Sequence, residues 1–200
     1  MNKLKIYNEF VEKTKCCKKC DLGYDKIDGY DPHVIGQGNL DADLMFVAEA
    51  PGKQETIYGR PLTPPGTSGN VYENVLKFIG LTRDDVYTTN VLVCRPPKNR
   101  DPEPYEVKKC QPYFEQQIDL VKPKLVITFG RFAAQSFINN FKITRDHGKI
   151  VKSTKYNIDI FPIYHPAYYR AYSSKKQREE FKQDVNKLKK IKEKYYGRSR

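Results

Sequence analysis

Residues 43–52 read DLMFVAEAPG and predict the centre of the fold. A short apolar run that ends in a turn signal is typical of a strand buried on both faces of a sheet. The run covers Asp43 to Ala48, and Pro51 with Gly52 provides the turn signal. We therefore expect a central strand here, with Glu49 immediately beyond its carboxyl end.

Similar apolar runs recur along the chain and alternate with helical patterns. The further predicted strands are Val86 to Val93, Leu125 to Phe129 and Ile158 to Tyr164. Helical patterns cover residues 3–15, 68–79, 103–121, 131–140 and the segment after Ser174, where Phe181, Val185, Leu188 and Ile191 share one face. Pro112 predicts a break or kink in the third, residues 103–121. The alternation predicts a three-layer α/β fold with a small parallel sheet of about four strands flanked by helices, as one domain over residues 1–196, and a frayed end at 197–200.

Unusual polar residues follow three of the predicted strands. Glu49 and Glu55 follow the first, Asn90 and the segment CRPPKNR (residues 94–100) follow the second, and His165 follows the last. Because ligands of open α/β sheets bind at the carboxyl ends of the strands, we expect these residues to meet in one site.

Four cysteines form two distant pairs, Cys17 with Cys20 and Cys94 with Cys110. Two thiolates separated by two residues can bind one metal from a single turn, and a second pair completes a tetrahedral set. Zinc and a [4Fe-4S] cluster both fit this pattern. Cys16 can replace Cys17 as the first ligand, because it stands next to it.

The chain has 200 residues and a formal net charge of +12 at neutral pH. Such a surplus favours a polyanionic partner, above all nucleic acid, although a solvated lysine-rich surface would also explain part of it. No apolar stretch near the N-terminus has the length of a signal sequence or a membrane span. We therefore expect no membrane association and a reducing, cytoplasmic compartment, near the nucleoid or, for a virus-encoded chain, in an infected cell.

Several segments together resemble the iron-sulfur uracil-DNA glycosylases of family 4. AEAPGKQE (residues 48–55) is similar to the first motif of that family, and GRPL (59–62) is similar to its GRPF. YTTNVLVCRPPKNRDP (87–102) resembles its YITN, CRPP and NR segments, and HPAYYR (165–170) resembles its HPS motif. The four cysteines match its cluster ligands in order.

The resemblance implies hydrolysis of the N-glycosidic bond of deoxyuridine in DNA, in base-excision repair. It implies a [4Fe-4S] cluster, with zinc as the alternative, on Cys17, Cys20, Cys94 and Cys110. His165 would donate a hydrogen bond to the departing uracil, and Glu49 and Glu55 would stabilise the sugar cation or hold water. The implied contacts to the flipped base come from Asn90, Ala50, Leu62 and Asn99.

Implied contacts to the DNA backbone come from Arg95, Arg100, Tyr168 and Arg170. Leu62 stands where the family has a stacking Phe, and Ala167 stands where it has the Ser of HPS. These departures keep two alternatives open: a catalytically weak relative that binds modified DNA, and a metal-stapled DNA-binding module. One flipped base needs one site, so we expect a monomer.

Overall fold

The computed structural model describes residues 2–24, 28–169 and 174–197, apart from the side chain of Tyr168. Within these residues six strands form one sheet: β1 (Gln37–Gly38), β2 (Leu44–Ala48), β3 (Tyr87–Asn90), β4 (Leu125–Phe129), β5 (Val151–Ser153) and β6 (Ile158–Ile163). Their order across the sheet is β1-β3-β2-β4-β6-β5. This is a mixed sheet whose centre is β2.

The four central strands, β3, β2, β4 and β6, run parallel to one another. They confirm the predicted α/β class and the expected parallel core. The two edge strands are antiparallel and were not predicted. They contain two and three residues, too few to show any alternation of apolar and polar side chains.

Seven α-helices are described: α1 (Lys3–Lys15), α2 (Lys53–Tyr58), α3 (Thr67–Ile79), α4 (Pro104–Val121), α5 (Gly130–Gln135), α6 (Ile143–Asp146) and α7 (Lys175–Tyr195). α2 lies between the predicted central strand and the helical pattern at 68–79, where no helix was predicted, and Gly52 and Gly59 flank it. α4 continues through Pro112, so the predicted break is absent. Its buried face includes Tyr113 and Phe114, and this packing outweighs the one backbone hydrogen bond that proline removes.

Two apolar layers cover the two faces of the sheet. One contains Phe10 of α1 and Phe114 of α4. The other contains Tyr72 of α3 and Leu188 of α7. The predicted apolar face of α7 is confirmed, because Phe181, Val185 and Leu188 are buried and Ile191 packs against them.

The described chain is anchored as far as Tyr196, whose hydroxyl donates to Asp85 at 2.6 Å. Residues 198–200, most of the expected frayed end, lie outside the described residues. Among the helices that the structure describes, none is both long and apolar enough to cross a bilayer.

Candidate active site and cysteine cavity

A cleft of about 570 Å3 opens at the carboxyl ends of the central strands. It brings together six of the residues singled out from the sequence: Glu49, Ala50, Glu55, Asn99, Arg100 and His165. Neighbouring strands explain the convergence. Asn90 ends β3 opposite Ala48 of β2, and Ile163 of β6 pairs with Phe129 of β4, so the residues after these strands share one edge.

His165 follows β6 as a partly exposed residue at the cleft. Burial of the ring lowers its pKa to about 4, so the imidazole is neutral near pH 7. The backbone N–H of Ala167 donates to Nδ1 at 3.2 Å. Because Nδ1 accepts, the neutral ring carries its proton on Nε2, which is therefore a hydrogen-bond donor.

Gly130, the residue after β4, lies against this histidine. Its φ of +84° is in the region that glycine favours, and an added Cβ would lie 3.1 Å from the Cβ of His165. Glycine at this position allows the close approach of the two strand ends.

Glu55 is buried and accepts three hydrogen bonds. Its donors are Asn90 Nδ2 at 3.1 Å, the Leu62 N–H at 2.9 Å and the Gly52 N–H at 3.3 Å. Burial raises the pKa of Glu55 to about 7, and the bonds from Asn90, Leu62 and Gly52 oppose that rise. The carboxylate thus fixes the start of α2, the segment around Leu62 and the side chain of Asn90.

Asn90 is 1% exposed and does not itself line the cleft, but it donates to Glu55, which does. A carboxylate only accepts, so Glu55 must face the amide nitrogen of Asn90. The amide oxygen Oδ1 consequently points away, and among the described residues it has no hydrogen-bond partner. A buried, unpaired acceptor next to a ligand cleft is costly and calls for a donor from a ligand.

Glu49 is partly buried at the cleft edge. Burial raises its pKa to about 7, with a further rise from the Asp101 carboxylate and an opposing effect of the Arg131 guanidinium. Glu49 therefore changes charge near neutral pH, as a general base should.

Leu62 does not line the cleft. It is 1% exposed, belongs to the apolar layer under α3 and has a φ of +47°. Arg83 donates to its carbonyl and to that of Pro61. Leu62 thus occupies a core position, and its side chain is not among the residues that line the cleft where the implied base contact was expected.

The segment after Cys94 is held by internal contacts. Arg95 is 5% exposed, its Nε donates to Asn99 Oδ1 at 2.7 Å and its Nη1 donates to Asp28 at 3.0 Å. The partly exposed Arg100 binds the buried Glu106 through two hydrogen bonds. Arg95 is therefore buried among internal partners, whereas Arg100 lies at the cleft. Of the other predicted DNA contacts, the Tyr168 side chain and Arg170 lie outside the described residues.

Sequence reasoning missed the contribution of β4. Gly130, Arg131 and Phe132 follow this strand and line the cleft, as does Lys98. The strand-end rule that selected Glu49 and His165 applies to β4 as well, so the signal was present.

The four paired cysteines line a small cavity of their own, together with Lys19 and Lys109. Cys17 is buried there, whereas Cys16 caps α1 and is exposed. The cavity is tightly built, because a Cβ on Gly23 would lie 2.2 Å from the carbonyl oxygen of Cys17. The Val93 N–H donates to Cys110 Sγ at 3.3 Å.

The chemistry of this donor set fits a thiolate-bound metal centre, either zinc or an iron-sulfur cluster. Burial raises the pKa of the Cys94 thiol, and the neighbouring thiols of Cys110, Cys20 and Cys17 raise it further. Four thiols gathered in this way become thiolates only beside a cation. Among the described residues, no group of three or more Cys, His, Asp or Glu side chains is arranged to hold a metal ion.

A family profile and several individual relatives identify the same family. The uracil DNA glycosylase superfamily profile matches residues 35–189. The chain is 40% identical over 190 residues to a type-4 uracil-DNA glycosylase of Archaeoglobus fulgidus, covering 90% of each chain. It is 41% identical over 164 residues to that of Sulfurisphaera tokodaii (78% of this chain, 72% of the relative), and 33% identical over 184 residues to that of Thermotoga maritima (89% and 90%).

Proposed function

The chain belongs to the uracil DNA glycosylase superfamily, and we propose that it is a DNA glycosylase that hydrolyses the N-glycosidic bond of deoxyuridine in DNA. The reaction adds water to C1′ of the sugar, releases uracil and leaves an abasic site for base-excision repair. The observation that carries the proposal is that a neutral His165 and Glu49 line the same cleft.

His165 is proposed to stabilise the leaving base. As the bond to C1′ breaks, negative charge spreads onto uracil, including its O2 atom. The Nε2–H of a ring whose Nδ1 is already occupied can donate to that oxygen. One preorganised donor of this kind typically contributes about 3 to 4 kcal/mol to transition-state stabilisation.

Asn90 is proposed to read the flipped base. Its unpaired Oδ1 can accept the N3–H of uracil, whereas cytosine presents an acceptor at N3 and would leave two acceptors facing each other. Glu55 has a positioning role in this proposal, because its bond to Nδ2 fixes the orientation of the amide.

Glu49 is proposed to act on the sugar side. Its ionised form can accept a proton from the attacking water and stabilise the positive charge that develops on the sugar. It suits this task better than Glu55, since Glu55 already accepts three hydrogen bonds.

DNA with the uracil turned out of the strand is the proposed substrate. The net charge of +12 favours a phosphate backbone, and Lys98, Arg100 and Arg131 place positive charge at the cleft. One cleft accepts one base, so we propose that the protein acts as a monomer. A reducing, intracellular compartment is proposed because the metal centre requires free thiols.

Cys17, Cys20, Cys94 and Cys110 are proposed to hold a [4Fe-4S] cluster. The cluster would supply a structural cross-link between the N-terminal segment and α4. Two lysines in the cavity wall, Lys19 and Lys109, would offset the negative charge of four thiolates. We propose no redox role in the hydrolysis, which transfers no electrons.

The test is cleavage of an end-labelled oligonucleotide that contains one uracil, by anaerobically purified protein, with mild alkali to reveal abasic sites. A thymine oligonucleotide is the control. We expect cleavage at uracil alone and a decrease of about a hundredfold or more for His165→Ala. Metal-replete protein that binds the uracil strand without cleaving it would contradict the proposal.

A further inference from the structure

A second cavity, of about 290 Å3, adjoins the cleft, and Glu49 and Phe132 line both. Its other walls are mainly apolar and include Val91, Pro102 and Val107. None of the steps proposed above uses it. A cavity of this size is at the lower end of ligand pockets, which begin at about 300 Å3, and it suits one planar ring.

Arg131 lines the cleft next to Phe132, which lines both cavities. Its guanidinium carbon lies 4.2 Å from the centre of the Phe132 ring, and its side chain is 50% exposed. The Asp101 carboxylate lies 3.5 Å away and is 72% exposed. An ion pair this exposed contributes at most about 1 kcal/mol, so a phosphate can replace Asp101 as the partner of Arg131.

Resting on the proposed function, we propose that this second cavity, the neighbour pocket, binds the nucleobase next to the target deoxyuridine. The base lies against the Phe132 ring, and Arg131 binds the phosphate beside it. An aromatic ring, a basic side chain and an apolar wall are the combination by which proteins hold single-stranded nucleic acid. The pocket shares a wall with the cleft, so adjacent nucleotides of one strand can occupy the two.

The test uses single-stranded oligonucleotides in which one nucleotide beside the uracil, first on the 5′ side and then on the 3′ side, is an abasic spacer. Val107→Phe fills the neighbour pocket without lining the cleft, and Phe132→Leu removes the ring. On the ordinary strand we expect each variant to lower kcat/KM by about five- to 150-fold, the range of one base–aromatic stack. On the strand with the spacer at the occupied side, variants and wild type should be equal.

Phe78→Leu is the matched control, because Phe78 is 45% exposed on α3 and lines neither cavity. Iron content and thermal unfolding show whether each variant is folded. Equal losses on both strands would overturn the proposal in favour of a contact between Phe132 and the uracil itself. Unchanged kcat/KM for Val107→Phe would overturn it outright.

Failure of the proposed function would look different, because the wild type would then cleave no strand. The affinity of the same oligonucleotides, measured by fluorescence anisotropy, tests the neighbour pocket without catalysis. Weaker binding of the ordinary strand by Val107→Phe, with equal binding of the spacer strand, would support the pocket. Equal affinity of both proteins for both strands would refute it.

Discussion

Glu55→Gln tests the idea that Glu55 sets the orientation of Asn90. A glutamine has one acceptor atom where the carboxylate has two, and its other atom is a donor. If the oxygen of the new glutamine side chain still accepts from the Leu62 N–H, the nitrogen of the same amide lies opposite Nδ2 of Asn90, so that two hydrogen-bond donors face each other. Asn90 then turns over and presents Nδ2, rather than Oδ1, to the base.

The expected loss follows from these contacts. One charge-assisted hydrogen bond is lost, and one donor of Asn90 faces the N3–H donor of uracil. Together these changes cost about 2 to 4 kcal/mol of transition-state stabilisation. This corresponds to a decrease of roughly 30- to 1,000-fold in kcat/KM for uracil, since 1.4 kcal/mol is tenfold. A turned amide also matches the N3 acceptor of cytosine, so discrimination against cytosine should weaken.

Single-turnover cleavage of matched uracil and cytosine oligonucleotides measures both effects. Glu115→Gln is the control, because Glu115 carries the same group on α4, bound to Gln111 and Lys155 and away from the cleft. The reasoning is refuted if a folded Glu55→Gln protein cleaves uracil within threefold of the wild-type rate.

Three other perturbations address the base, the histidine and the metal centre. Cleavage should accelerate as pH rises through about 7, because Glu49 ionises there. Glu49→Gln should flatten this rise and lower the cleavage rate at pH 8 by about a hundredfold. A variant with the wild-type pH–rate profile would exclude Glu49 as the base. Gly130→Ala should slow cleavage about tenfold, because the added methyl displaces the adjacent imidazole of His165. Gly29→Ala is the control: Gly29 has a similar φ of +83° with open space around it, so this variant should change stability alone. Equal cleavage rates in the two variants would contradict the role given to Gly130. Cys110→Ala should lose most of its iron and unfold at a lower temperature, whereas Cys16→Ala should keep the wild-type iron content and unfolding temperature. Iron retained at the wild-type level by Cys110→Ala would refute the four-cysteine centre.

The central strands were predictable because their signal is local. β2 is a continuous apolar run and β4 is interrupted only by Thr128, every residue of both is buried, and no distant contact is needed to identify them. The strand-end rule then located Glu49 and His165. Local pattern did not predict α2, because Gly52 and Gly59 are typical of loops, although here they flank a helix.

Local pattern could not assign the partners of individual side chains. Arg95 and Arg100 look equivalent in CRPPKNR, yet Arg95 is buried against Asp28 while Arg100 stays partly exposed. Leu62 follows a recognisable motif, but its left-handed backbone directs it into the core. Long-range packing decides such exposures, and it depends on residues far away in the chain.

Composition, spacing and motif order were therefore enough to predict the α/β class, the family and the gathering of four cysteines in one place. Each of these depends on residues close in sequence or on the order of the motifs. The folded chain alone determined that Cys17 faces the cavity while Cys16 faces solvent, and that Glu55 binds Asn90 across 35 positions of sequence. It also determined the neutral state of His165, which follows from the burial of the ring, and its tautomer, which follows from the Ala167 N–H that donates to Nδ1. Protonation and hydrogen-bond orientation depend on three-dimensional surroundings, which no local sequence pattern encodes.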